Sequence, residues 1–243
     1  MKSLLILTGH TQGIGKAILE HYLNNKQTQI LAISRSKLNV ESPNLSQVSI
    51  DLSDLEVLES QLAGLFLPDH FDKIFLINNA GWIGTIKPIG QLDPAELRRQ
   101  INLNLLAPMY LTNAFIKAYK STDAQKVICN ISSGAASKPI AGWGGYCSTK
   151  AALTMFTLVA AKENKSADFK FYSLAPGVVD TQMQGEIRNV QEADFPDLEK
   201  FKKYHEEGQL TSPELVAEKI AFVLENPQLF MEVIQDVRNV ELA

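Results

Sequence analysis

At 243 residues, 45% hydrophobic and 21% charged, the chain is long enough to bury one large core, and no shift in composition marks a linker that would divide it. A formal net charge of −4 with no cluster of Lys and Arg excludes the footprint of a nucleic-acid or acidic-membrane binder and leaves a small molecule as the expected partner. Two cysteines, Cys129 and Cys147, are too few for a disulfide framework, and the four histidines, His10, His21, His70 and His205, show no metal-ligand spacing, so no metal is expected.

Met1-Lys2-Ser3 leads into an apolar run, residues 4–8, that is too short for a signal h-region or a membrane span, and a cytoplasmic location is expected. The run reads as a strand and passes directly into TGHTQGIG, Thr8 to Gly15. Glycine is unfavourable in strand and helix and is kept where the backbone takes positive φ or something approaches closely. Gly9, Gly13 and Gly15, with Thr11, Gln12 and Ile14 between them, suit a pyrophosphate lying on the exposed N–H groups of the first helix. A turn with close helix packing accounts for the triplet alone equally well, and the spacing G-x-x-x-G-x-G is not the common G-x-G-x-x-G. His10, within the loop, reads as a tolerated spacer.

Further apolar runs follow at 29–34, 47–50, 73–79, 126–132, 169–175 and 231–235. Ser53 with Glu56, Asp93-Pro94 with Glu96, and Ser212-Pro213 mark helix starts between them. Near-continuous hydrophobic strands separated by helical stretches imply an α/β fold: a Rossmann-type, doubly wound, seven-stranded parallel sheet with six intervening helices on its two faces, one domain over 1–243. Ligands of such sheets bind beyond the carboxyl ends of the strands. Pro108, inside a helical segment from about 94 to 119, should kink it or loosen its hydrogen bonding. Residues 182–210, charged but carrying Met183, Ile187, Phe195, Leu198, Phe201 and Tyr204, break the alternation at the ligand edge and read as a substrate-binding lid.

In YCSTK, Tyr146 and Lys150 lie four apart on one helix face. Lowering a phenol from pKa about 10 by roughly three units takes about 4 kcal/mol of preferential stabilisation of the anion, which a neighbouring ammonium and a cationic cofactor ring can supply. The same spacing occurs at Tyr22 and Lys26, read as a surface pair. Tyr146 differs in having Ser133 thirteen residues upstream, at the end of the strand 126–132, where a hydroxyl can enter the ligand crevice.

TGHTQGIG, NNAG (Asn78 to Gly81), Asn104 in LNLLAP, Ser133, YCSTK and PGVVDT (Pro176 to Thr181) occur in the order and spacing of the short-chain dehydrogenases/reductases. The resemblance spans essentially the whole chain, and SGAASKPIAGWGGYCSTKA, PGVVDTQMQ and FKKYHEEGQLTSP are most similar to the sepiapterin reductase and benzil reductase group of that family. It implies that Tyr146 donates a proton to the substrate oxygen, Ser133 hydrogen-bonds that oxygen, Lys150 holds the nicotinamide ribose and tunes Tyr146, and Asn104 positions a relay water largely through its backbone. It also implies cofactor contacts from Asn79, Ala80 and Gly81, from Asp51 and Leu52 at the adenine, and from Pro176, Gly177, Val179 and Thr181 at the carboxamide.

Members of the family that use NAD carry an acid where this chain has Ser34, which is followed by Arg35. A guanidinium suits a 2′-phosphate, so NADP is expected over NAD, although Gln12 stands where many NADP-using relatives place a second basic residue. Gln182, Met183, Trp143 and Asp236 are the expected substrate contacts; Asp236 aligns with an acid that anchors the pterin of sepiapterin reductases, but Val237-Arg238 stand where many members have two glycines, which favours a structural role for it over substrate contact. Trp82 fits an apolar substrate wall and core packing equally. The expected activity is NADPH-dependent reduction of a small ketone or α-dicarbonyl to a secondary alcohol by a homodimer or homotetramer assembled through the helices carrying Asn104 and Tyr146. Two alternatives remain: an NAD-dependent alcohol dehydrogenase working oxidatively, and a dinucleotide-sensing protein without catalysis.

Overall fold

The computed structural model describes residues 2–66 and 70–242. Seven parallel strands, β1 (Ser3–Thr8), β2 (Thr28–Ser34), β3 (Leu45–Ser49), β4 (Lys73–Asn78), β5 (Gln125–Ile131), β6 (Phe169–Ala175) and β7 (Ile234–Asp236), form one sheet in the order β3-β2-β1-β4-β5-β6-β7. Strand order reverses between β1 and β4, and the crevice above that reversal is where such sheets take ligands. Leu5, Ile6, Leu7, Ile74, Leu76 and Ile77 are fully buried because both faces are covered. Helices α1 (Gly13–Leu23) and α8 (Pro213–Glu225) cover one face, and α2 (Leu55–Leu65), α4 (Ala107–Tyr119) and α5 (Gly144–Glu163) cover the other.

Three expectations are corrected. Residues 35–44, between β2 and β3, contain no helix. Instead, Gln47 on β3 accepts from Leu38 N–H at 2.8 Å and donates to the Leu38 and Val40 carbonyls at 3.0 and 3.3 Å, so one amide does the work of a helical ladder. The second helix is capped by Asp54, which accepts from Val57 N–H at 3.1 Å, whereas Ser53 donates its hydroxyl to Asp51. The last strand begins only at Ile234, since it pairs with β6 at Ser173–Ala175 and no further.

Asp93 and Ser212 cap α3 (Pro94–Ile101) and α8 as their sequences predict. Between α3 and α4, residues Asn102–Leu106 form a π-helical turn, with Ala107 N–H donating to the Asn102 carbonyl. Pro108 supplies the cause. Lacking an N–H, it cannot donate to the Asn104 carbonyl as the regular ladder requires, and the widened turn absorbs the gap.

A third apolar cluster stands beyond the carboxyl edge of the sheet, where α6 (Gln182–Arg188), α7 (Leu198–Glu206) and the loop between them pack Ile187, Leu198, Phe201 and the loop's Phe195 onto Trp143 and Tyr146. Phe195 is fully buried and stacks on Trp143 at 5.4 Å and 10°. No helix among the described residues is long and apolar enough to cross a membrane.

Candidate active site

A cleft of about 540 Å³ runs along the carboxyl edge of the sheet. One end is lined by Ser34, Arg35, Asp51 and Leu52, the middle by Gly9, Thr11, Gln12, Gly13, Ile14, Asn79, Ala80 and Gly81, and the other end by Tyr146, Lys150, Pro176, Thr181, Gln182 and Met183. Residues from six separate segments thus meet in one space.

Two of the loop glycines are required by different constraints. Gly13 has φ +53°, and a Cβ there would lie 3.1 Å from Thr181 Cγ2. Gly15 lies outside the cleft lining; a Cβ there would sit 2.0 Å from the Gly9 carbonyl oxygen, so its role is close packing of helix on loop. Above them α1 begins at Gln12 with no side-chain cap and no acidic residue in its first turn. Its leading N–H groups and the positive end of its dipole are open to an anion, which fits a dinucleotide pyrophosphate.

Thr8 and Asn79 fix the floor. The Thr8 hydroxyl accepts from Asn79 and Ala80 N–H at 2.9 and 3.0 Å, and Asn79 Nδ2 donates to the Thr8 and Gly9 carbonyls at 3.0 and 3.1 Å. His10 is a structural tie and no mere spacer. It is fully buried, its N–H donates to Ser34 Oγ at 3.0 Å, and its Nε2 lies 2.9 Å from Gln47 Oε1. Because that oxygen accepts, Nε2 carries the proton. The Ser34 hydroxyl, having accepted from His10, keeps its own proton for a ligand.

At the opposite end Lys150 is buried, with Nζ donating to the Ile131 carbonyl at 2.7 Å and lying 5.6 Å from the Tyr146 ring centre. Burial pushes Lys150 down to about 8 and pushes the Tyr146 phenol up to about 12, against the opposing hydrogen bond from Ser133. Tyr146 is therefore held protonated, the state a proton donor needs. Ser133 does not line the cleft itself; its Oγ also accepts from Ala135 N–H at 3.1 Å, which fixes its rotamer beside the phenol.

Asn104 is fully buried behind the cleft wall, where its side chain accepts from Trp82 N–H at 2.9 Å and donates to the Trp82 carbonyl at 2.8 Å. Its amide is committed, so any service to the cleft falls to the backbone carbonyl that Pro108 leaves without its helical donor.

Other expected contacts lie elsewhere. Trp143, 6% exposed, forms an edge contact with Tyr146 at 5.7 Å and buttresses it from the third cluster, away from the cleft lining. Val179 is buried and bridges to Thr211, and Gly177, at φ +81°, packs beneath the Arg238 side chain. Asp236 is gripped by Arg238, with Nε to Oδ1 at 2.9 Å and Nη2 to Oδ2 at 2.5 Å, and this pairing outweighs partial burial to hold the carboxyl below its ordinary range. Tyr22, read as surface, is a 2% exposed core residue: it belongs to the buried face of α1 with Ile18, whereas Lys26 lies past the helix end and is exposed. Trp82 does line the cleft, as do Ser36, Ser53, Arg99, Leu103, Ser132 and Glu186, which the sequence reading missed. Arg99 had one legible signal, its place a turn ahead of Leu103 in the segment carrying Asn104.

The seven-stranded parallel sheet and the cleft at its carboxyl edge are those of a dinucleotide-binding oxidoreductase. Residues 3–192 match the short chain dehydrogenase family, and the chain belongs to that family, whose members bind NAD(P)(H). It is 40% identical over 227 residues to a benzil reductase ((S)-benzoin forming) of Bacillus subtilis (strain 168), covering 91% of this chain and 93% of that protein. A sepiapterin reductase of Bos taurus is 30% identical over 245 residues, covering 93% and 90%. Among solved structures, the KRED1-Pglu enzyme superposes with a TM-score of 0.77 at 30% identity, covering 93% of this chain and 95% of that one.

Proposed function

We propose that the chain is an NADPH-dependent carbonyl reductase converting a small ketone or α-dicarbonyl, benzil-like in shape, into a secondary alcohol. The observation that carries this reading is a cleft with a protonated Tyr146 and a buried Lys150 at one end and Arg35 and Ser34 at the other, with Ser133 hydrogen-bonded to the Tyr146 phenol from behind the lining. When bound, the dinucleotide supplies hydride to the carbonyl carbon. Tyr146 supplies the proton to the oxygen, and Ser133 holds that oxygen and shares its developing charge. Lys150, with Nζ 5.6 Å from the Tyr146 ring centre, stabilises the tyrosinate left by proton transfer, and the Asn104 backbone carbonyl, to which Pro108 has no N–H to donate, anchors the path by which the proton is replaced.

The Arg35 side chain is exposed and makes no hydrogen bond or ion pair among the described residues, only its backbone carbonyl accepting from Ser49 Oγ at 2.7 Å, and no acid stands at the end of β2 to repel a phosphate; both support NADP. The Arg238 grip on Asp236 supports a diketone over a pterin, because the carboxylate that would anchor a pterin is already neutralised within its own loop. Gln182, Met183 and Glu186 line the cleft, while Phe195 and Phe201 are locked into the third cluster, so we assign the lid role of 182–210 to its first helix. Met155 and Val159, 61% and 43% exposed one turn apart on α5, support association of copies through the helix carrying Tyr146.

The test is a panel of benzil, diacetyl, sepiapterin and simple aromatic ketones with NADPH. Turnover highest on the aromatic diketone, with the alcohol recovered, is expected. Tight NADPH binding without turnover on any of them would favour the sensing role.

A further inference from the structure

We propose that Arg99 covers the adenine ring of the dinucleotide, its guanidinium lying between that ring and the Trp82 indole. The inference rests on the dinucleotide reading of the cleft but not on the choice between NADP and NAD. Arg99 lines the cleft together with Asp51, Leu52 and Leu103, at the end assigned to adenosine. Its guanidinium carbon lies 5.3 Å from the centre of the Trp82 ring. A planar guanidinium resting on an aromatic face offers its second face for stacking, and bases stack on arginine planes as they do on aromatic rings.

The platform beneath it is rigid. Both backbone polar groups of Trp82 are held by the Asn104 side chain, and Asn102 Nδ2 donates to the Ser53 carbonyl at 2.9 Å, joining the segment after α3 to the loop that carries Asp51. Asp51 lies within electrostatic reach of Arg99 but does not capture it: the carboxylate accepts from Ser53 N–H and hydroxyl at 2.9 and 2.6 Å. Arg35 reaches the same carboxylate's field from the end of β2. The two guanidiniums thus approach from different elements, which assigns the 2′-phosphate to Arg35 and the ring to Arg99.

The experiment is calorimetric titration of NADPH and NADH into wild type, Arg99→Ala, Arg99→Lys and Arg35→Ala, with thermal unfolding as the folding control. Arg99 is exposed, so unfolding should not move. Arg99→Ala is expected to weaken NADPH and NADH by the same factor, about tenfold, and Arg99→Lys to recover little of it, because an ammonium keeps the charge without the plane. Unchanged binding in Arg99→Ala, loss confined to NADPH, or full recovery by lysine would each overturn the proposal. A wild type that prefers NADH, with Arg35→Ala silent, would instead overturn the NADP reading and leave the Arg99 comparison legible.

Discussion

Pro108 stands four residues beyond Asn104, and the N–H it lacks is the one that a continuous helix would spend on the Asn104 carbonyl. The π turn at 102–106 follows from that missing bond, and the Asn104 carbonyl, behind the Tyr146 end of the cleft, has no N–H four residues on to receive. Pro108→Ala restores the donor. The account predicts unchanged or slightly higher thermal stability, NADPH affinity within twofold of wild type, and a kcat lower by roughly tenfold, about 1.4 kcal/mol of barrier. A kcat equal to wild type would show that the carbonyl has no part in proton delivery.

The buried pair at that end sets the pH dependence. Lys150, depressed to about 8 by burial, is charged below that pH and loses its charge as pH rises through it, while Tyr146, raised to about 12, stays protonated throughout. Reduction should therefore show a single descending limb in kcat/KM near pH 8, caused by the lysine. Lys150→Met should remove the limb and lower kcat/KM by about a hundredfold or more. A limb that persists at the same pH in this variant would assign it to another group.

Gly13 and Gly15 should respond differently to a side chain. Gly13→Val meets a positive φ and the Thr181 methyl at the mouth of the loop, so it should abolish cofactor binding while leaving most of the fold's stability. Gly15→Ala drives a methyl into the Gly9 carbonyl and the Asn79 amide, and should lower stability by about 2 kcal/mol or more, roughly 4–8 °C in Tm for a chain of this size. Thermal unfolding with NADPH titration separates the two, and tight binding by the Gly13 variant would sink the phosphate assignment.

Substrate choice is addressed by the ion pair at the last strand. Arg238→Ala releases the Asp236 carboxylate toward solvent and opens the space above Gly177. The ratio of kcat/KM for sepiapterin to that for benzil should rise severalfold. A ratio that does not move would place Asp236 outside substrate recognition altogether.

The strands, the glycine loop and the Tyr146–Lys150 pair were legible because each is local: an apolar run, a backbone constraint, a helical spacing of four. What the sequence hid depends on long-range partners. His10 looks like loop filler until Gln47, thirty-seven residues away, is folded against it. Tyr22 shares the four-residue spacing of Tyr146, yet only the end of α1 at Leu23 shows that its lysine leaves the helix. Trp143 adjoins the catalytic helix in sequence, but Phe195 stacks over it and turns a candidate substrate wall into core. The Asp236–Arg238 pair was two residues apart and visible as charge, but its bidentate geometry depends on the turn that follows β7.

The central claim is that Tyr146 donates the proton in an NADPH-driven carbonyl reduction. Its most direct test is NADPH oxidation on benzil by wild type and Tyr146→Phe, with NADPH affinity measured in both. The account predicts turnover in wild type and, in the variant, a kcat lower by at least a hundredfold with NADPH affinity unchanged. A variant that reduces benzil at the wild-type rate would contradict it.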